Sequence, residues 1–219
     1  MAALRGCDSP FAIAHHAGAL RQRGIDFVMR RYSRDASINL DAGEAQRLSD
    51  AGFHIGALWE SQDRLSRRQG LLDGADALRL ARAVGQPCGS AIYFALGERI
   101  SMVDLDGNVT QYLAGLRAAL GGGAGFRVGV RGSHPMCSGL VDRGLAAVSW
   151  LASTSPDALA ARHALLQWPA ARLVLDGVEL RLAPVLGQPG RDAGLFRIAS
   201  GAHGDARRAR LHAADHGRL

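Results

Sequence analysis

Phe27-Val28-Met29-Arg30-Arg31-Tyr32, then Asp41-Ala42-Gly43-Glu44, Ala51-Gly52 and His54-Ile55-Gly56-Ala57-Leu58-Trp59-Glu60 form the stretch that decides the fold. Two short apolar runs, 27–32 and 54–60, have the length of strands and flank a helical segment over 42–51. Asp41 followed three residues later by Glu44 is a capping-box signal, because a side-chain oxygen at that position satisfies a free N–H of the first helical turn. Gly52 supplies the positive φ with which helices commonly end. Strand, helix and strand in this order make the repeating unit of a parallel sheet covered by helices.

The alternation continues in both directions. Strands are expected at 3–8, 90–96, 126–131, 146–151 and 163–168. Helices are expected at 70–84, where Leu72, Ala75, Leu78, Leu80 and Ala83 form an apolar stripe, and at 109–120, where Val109, Tyr112, Leu113, Leu116 and Leu120 recur at helical spacing. The expected fold class is α/β, a TIM-like (β/α) barrel of parallel strands in one domain over 1–199. Residues 172–182 depart from the pattern. They read as two alternating runs around Asp176-Gly177, a type I′ hairpin signal, so the barrel should end in an irregular C-terminal hairpin and not close as an ideal eightfold. Residues 200–219 are rich in Ala, Arg, His and Gly without a core-forming period and are expected to be a disordered tail.

A chain of 219 residues with 47% hydrophobic content fits one buried core. All 26 basic residues are Arg, and the net charge of +6 would attract nucleic acid or an anionic polymer. The charge is dispersed, however. Arg30-Arg31, Arg67-Arg68 and the group Arg207, Arg208 and Arg210 are each too short to define a groove-reading element, which argues against nucleic acid. Cys7, Cys88 and Cys137 are odd in number and widely separated, so they match neither a disulfide framework nor metal spacing. The adjacent His15 and His16 point to different faces, and Asp104, Asp106, Gly107 and Asn108 make an incomplete calcium loop. Neither metal nor cofactor is therefore expected. No apolar run approaches the roughly 18 residues that cross a bilayer, and the opening residues show no export signal. Localisation stays open between the cytoplasm and delivery to a cell wall by another system. Oligomeric state is not legible.

In parallel barrels the working side chains sit at the C-terminal ends of the strands. Here those ends carry Asp8, Arg31 with Tyr32, Trp59 with Glu60, Gly97 with Glu98, Arg131, Trp150, and Gln167 with Trp168. All three tryptophans fall at strand ends, where they are expected to stack on sugar rings; the alternative is that they plug the barrel mouth. Tyr32, Trp59, Arg131, Trp150, Gln167 and Trp168 are the candidate substrate contacts. Glycoside hydrolysis needs a protonated acid at the leaving oxygen and usually a second carboxylate, which makes Asp8, Glu60 and Glu98 the candidate catalytic groups. Glu60, beside Trp59 in an apolar strand, is the candidate proton donor because burial favours the neutral acid.

Gly6-Cys7-Asp8, the 27–32 run, Glu44 with Ala51-Gly52, Gly74-Ala75-Asp76-Ala77, Gly85-Gln86-Pro87, Ile92-Tyr93-Phe94-Ala95 and Val128-Gly129-Val130 appear in an order and spacing that carry a family likeness. Over roughly residues 5–170 the chain resembles bacterial glycoside-hydrolase-like domains related to the lysozyme-type family 25 glycoside hydrolases. The resemblance implies a TIM-barrel-like scaffold with a glycan site built from strand-end acids, and Asp8 and Glu60 match that pattern. It also implies peptidoglycan, a cell-wall glycan, as substrate. One position departs from the family: where an acid typically closes the fourth strand, this chain has Leu96-Gly97, and Glu98 one residue further faces the other side of a regular strand. Two readings follow. One is a hydrolase with Glu60 as general acid, assisted by Asp8 or Glu98. The other is a glycan-binding or regulatory module that has lost the fourth-strand acid.

Overall fold

The computed structural model describes residues 2–60, 64–97, 105–121, 125–152 and 162–199. Strands β1 (Leu4–Asp8), β2 (Phe27–Tyr32), β3 (His54–Glu60), β4 (Ala91–Ala95), β5 (Arg127–Gly132), β6 (Val148–Ala152) and β7 (Leu165–Gln167) pair in chain order, each parallel to the next. Between them run α1 (Ala17–Gln22), α2 (Ala42–Asp50), α3 (Arg67–Val84), α4 (Thr110–Leu120) and α5 (His134–Asp142). Helix α3 begins before the expected Gly70 because Ser66 caps it, accepting from the Gln69 N–H at 3.1 Å. Against α4 it packs at a glycine contact, where a Cβ on Gly70 would strike the Tyr112 carbonyl.

The C-terminal hairpin forms as read. β8 (Ala171–Leu175) and β9 (Val178–Gly187) are joined by Asp176 and Gly177, whose φ values of 49° and 80° are both positive, as a type I′ turn demands. The expected failure to close is overturned. β9 runs on past residue 182, and its second half pairs antiparallel with β1 over Ala183–Gly187 and with β7. An antiparallel closing strand needs no crossover, so the hairpin itself completes a barrel of eight strands while β8 stays outside it. The hairpin lies against α1: Arg23 Nη2 donates to the Val174 carbonyl at 2.7 Å, and His16 Nδ1 meets Asp176 Oδ2 at 2.7 Å.

Strand alternation divides the apolar residues into two layers. Val28, Ile55, Ile92, Phe94, Val128 and Val130 face outward under the helices. Phe27, Met29, Leu58, Tyr93, Trp150 and Leu165 face inward and fill the barrel, which is a packed core and not a pore. Residues after β9 cover its N-terminal end. Ile55 and Phe196 exchange backbone hydrogen bonds, the Ala91 N–H reaches the Gly194 carbonyl at 2.9 Å, and Tyr93 Oη donates to the Ala193 carbonyl at 2.8 Å.

Asp41 caps α2 by accepting from the Glu44 N–H at 2.7 Å. The reciprocal half of the capping box is missing. Glu44 turns inward instead, accepts the Ile13 N–H at 2.8 Å and pairs with Arg30 Nη2 at 3.0 Å, both side chains being buried. No helix among the described residues is long and apolar enough to cross a membrane. The 200–219 tail lies outside the described residues.

Candidate functional site

Strand register decides which strand-end side chains meet. Asp8 sits opposite Met29, an interior residue, and so faces the lumen. Counting two residues onward along β2 gives Arg31, opposite Leu58, and two onward along β3 gives Glu60, opposite Ala95. Ala95 is opposite Arg131, and Arg131 is opposite Trp150. Gln167 comes two residues after Leu165, opposite Val185. The inward layer at the C-terminal mouth is therefore Asp8, Arg31, Glu60, Ala95, Arg131 and Gln167.

These polar groups form one hydrogen-bonded chain. Arg31 Nη1 and Nη2 both donate to the Asp8 carboxylate, the second at 3.0 Å, and Arg31 Nε lies 3.1 Å from Glu60 Oε1. Asp8 Oδ2 also accepts from Gln167 Nε2 at 3.3 Å, and Gln167 Oε1 accepts from Arg131 Nε at 3.0 Å. The first of these contacts skips β9 and the second skips β6, which only side chains inside the lumen can do. The Arg131 guanidinium carbon stands 5.1 Å from the centroid of the Trp150 ring, a cation–π contact that makes Trp150 the floor beneath it. Burial opposes the charge on Arg31, but the hydrogen bonds and charge of Asp8, joined by those of Glu60, outweigh it and raise the guanidinium above its ordinary value. Asp8 is buried, whereas the Glu60 side chain is 41% exposed.

The structure brings Asp8, Glu60, Arg131 and Gln167 together, with Trp150 below them. Tyr32, Trp59 and Trp168 do not join them, because each directly adjoins a lumen residue on its own strand or just past its end and so points the other way. Tyr32 lies in the helix layer with its hydroxyl donating to Gln86 Oε1 at 2.8 Å, and burial raises its phenol. Trp59 is buried in the same layer under the Arg34 guanidinium, 5.6 Å from its ring centroid. Trp168 packs on the outward-facing Leu151, Leu166 and Leu186. Trp59 and Trp168, expected as sugar-stacking platforms, and Tyr32, expected as a substrate contact, are thus turned away from the lumen of the barrel. Trp150 is itself fully buried, so it plugs the barrel. The burial expected to favour the neutral acid of Glu60 is not found among the described residues, where its side chain is 41% exposed and pairs with Arg31.

Sequence reasoning missed Arg31 as a site residue, although counting two residues from Met29 would have found it. On β4, Ala95 faces the mouth and Leu96 is buried on the opposite side. Gly97 holds the next inward position, where a Cβ would meet nothing within 4 Å. Glu98 lies outside the described residues.

Among the described residues, a closed barrel thus gathers two carboxylates, Asp8 and Glu60, and two arginines, Arg31 and Arg131, at its C-terminal mouth. The chain belongs to the Rv2525c-like, glycoside hydrolase-like domain family, whose model matches residues 18–181. Among solved structures it is similar to the Mycobacterium tuberculosis Tat-secreted protein Rv2525c in complex with L-tartrate, at 18% identity and TM-score 0.70, with 88% of this chain and 98% of that one covered. It is also similar to the lysozyme of Streptomyces coelicolor, at 14% identity and TM-score 0.54, covering 88% and 95%. The modular autolysin LytC of Streptococcus pneumoniae, in complex with a synthetic peptidoglycan ligand, matches at 13% identity and TM-score 0.57, covering 85% of this chain and 47% of that one. At these identities the likeness is one of fold. No curated protein matches the sequence.

Proposed function

We propose that this chain is a glycan-binding module of the peptidoglycan-hydrolase class, which holds a cell-wall glycan at the barrel mouth without cleaving it. The observation that carries this reading is Arg31, which directs all three guanidinium nitrogens at the two mouth carboxylates. Hydrolysis needs one carboxyl to donate a proton to the leaving oxygen while a second supports the opposite face of the sugar. Here Asp8 and Glu60 both accept from the same cation, and the inward position on β4 is Ala95. The half-exposed Glu60, together with Arg131 and Gln167, offers hydrogen bonds to sugar hydroxyls that require no proton transfer.

The hydrolytic reading keeps one observation in its favour. Asp8 and Glu60 are held by one guanidinium, which gathers at one mouth the two carboxyl groups that glycoside hydrolysis uses. Co-sedimentation with purified peptidoglycan tests binding. Wild type should be retained on the polymer, and Arg131→Gln should weaken retention about tenfold through loss of a charge-assisted contact. A wild-type protein left entirely in the supernatant would overturn the reading.

A further inference from the structure

Because β9 closes the barrel antiparallel to β1, no crossover helix is needed between them, and the outer wall over this strand pair is roofed differently from the rest. The C-terminal end of α1 lies on one side and the hairpin on the other. Between them is a cleft of about 320 Å³, at the lower end of the volumes that hold small molecules. Its floor is Gly6, Cys7 and Pro184, and Ile25, Leu173 and Leu182 form its apolar walls. Burial, and then the neighbouring Asp8 charge, push the Cys7 thiol up to about 12, so it serves as apolar floor and not as a nucleophile.

The rim is cationic. Arg5, Arg23 and Arg172 stand around the opening, and among the described residues no acidic side chain lines it, the nearby Asp26 being engaged by the Arg5 backbone N–H at 2.9 Å. The Arg5 guanidinium makes no hydrogen bond or ion pair among the described residues. Arg172 meets only the exposed Glu179, at 3.3 Å, and Arg23 spends Nη2 on the Val174 carbonyl. We infer that this cleft binds a free single-chain anionic amphiphile, its alkyl chain in the slot and its carboxylate or similar head on the arginine rim. Charge complementarity argues against the chain's own tail, whose Arg207, Arg208, Arg210 and Arg218 repeat the sign of the rim. A second copy, at +6, is disfavoured in the same way. The cleft is also independent of the mouth, since Cys7 and Asp8 are consecutive on β1 and face opposite sides of the barrel wall.

Isothermal titration of the full chain with dodecanoate, kept below its aggregation threshold, should show one site. Dodecyltrimethylammonium, with the same chain and the opposite charge, should not bind. Arg5→Gln should weaken dodecanoate about tenfold, the loss of one charge-assisted contact. Ala171→Trp fills the slot from an exposed position and should abolish binding at an unchanged melting temperature; if that variant fails to fold, the surface change Arg5→Gln still decides. Absence of dodecanoate binding, equal binding of the cationic amphiphile, or undiminished affinity in Arg5→Gln would overturn the assignment. So would binding to anionic lipid vesicles without binding to monomeric dodecanoate, which would give the arginines to a membrane surface instead.

Discussion

Arg30 and Arg31 are consecutive on β2, both buried and both paired with carboxylates, yet they belong to different parts of the molecule. Arg30 faces the helix layer, where Glu44 and the carbonyls of Ser9 and Ile38 enclose it, at 3.0 Å from Ser9 and 3.3 Å from Ile38. Arg31 faces the lumen, and one of its two partners, Glu60, meets solvent. One step along a strand separates a sealed ion pair that joins α2 to the barrel from an open one at the mouth. The contrast teaches that burial and charge pairing do not by themselves mark a functional site; what marks this one is access from the mouth.

The largest effect expected from this contrast is at the sealed pair. Glu44→Ala leaves Arg30 buried without its counter-charge and the Ile13 N–H without its acceptor, and should cost about 3–5 kcal/mol in denaturant unfolding. The double change Arg30→Met with Glu44→Leu should recover much of that loss, because an apolar pair needs no compensation. A loss below about 1 kcal/mol for Glu44→Ala would erase the distinction between the two arginines.

A buried group outside both pairs offers a control that titrates. His163 hydrogen-bonds the Ser149 hydroxyl at 2.9 Å and His134 Nδ1 at 2.8 Å. Burial, followed by the charges of His134 and Arg191, lowers it to about 4. The unfolded chain then takes up a proton near pH 6.5 that the folded chain refuses until about pH 4. Stability should therefore fall as pH drops through that window, by up to about 3 kcal/mol, and level off below it. His163→Gln should flatten this part of the pH profile. A slope that survives the substitution would place the titrating group elsewhere.

Arg31→Met should destabilise less than Glu44→Ala, by about 2 kcal/mol, because water entering from the mouth can replace part of the hydrogen bonding to Asp8. It should also change glycan retention, which Glu44→Ala should alter only by unfolding the protein. The smallest effect on stability is expected from Glu60→Gln. As a half-exposed partner of Arg31, Glu60 should contribute under about 1 kcal/mol to thermal or denaturant unfolding.

The fold was largely legible because its signals are local and periodic. The 27–60 stretch, the Asp41 cap and the Asp176-Gly177 turn each behave as their residues suggest. Closure was not legible, since nothing within 172–187 states that β9 will pair with β1, far away in sequence. The site was legible in part. Asp8, Glu60, Arg131 and Gln167 meet, but Tyr32, Trp59 and Trp168 were assigned by nearness to a strand end, whereas alternation sends them to the outer side. Glu44 shows the same limit from another direction, for its spacing from Asp41 fits a capping box while the partner it finds, Arg30, lies on another element.

The central claim is that Arg31 holds the mouth carboxylates in a binding arrangement and not a hydrolytic one. The most direct test is release of reducing ends from purified peptidoglycan by wild type, beside Glu60→Gln and Gly97→Asp, the last placing a carboxylate at the open inward position just past the end of β4. Wild type and Glu60→Gln should both remain at background while wild type is retained on the polymer. Sustained release by wild type that Glu60→Gln abolishes would contradict the claim and establish a hydrolase.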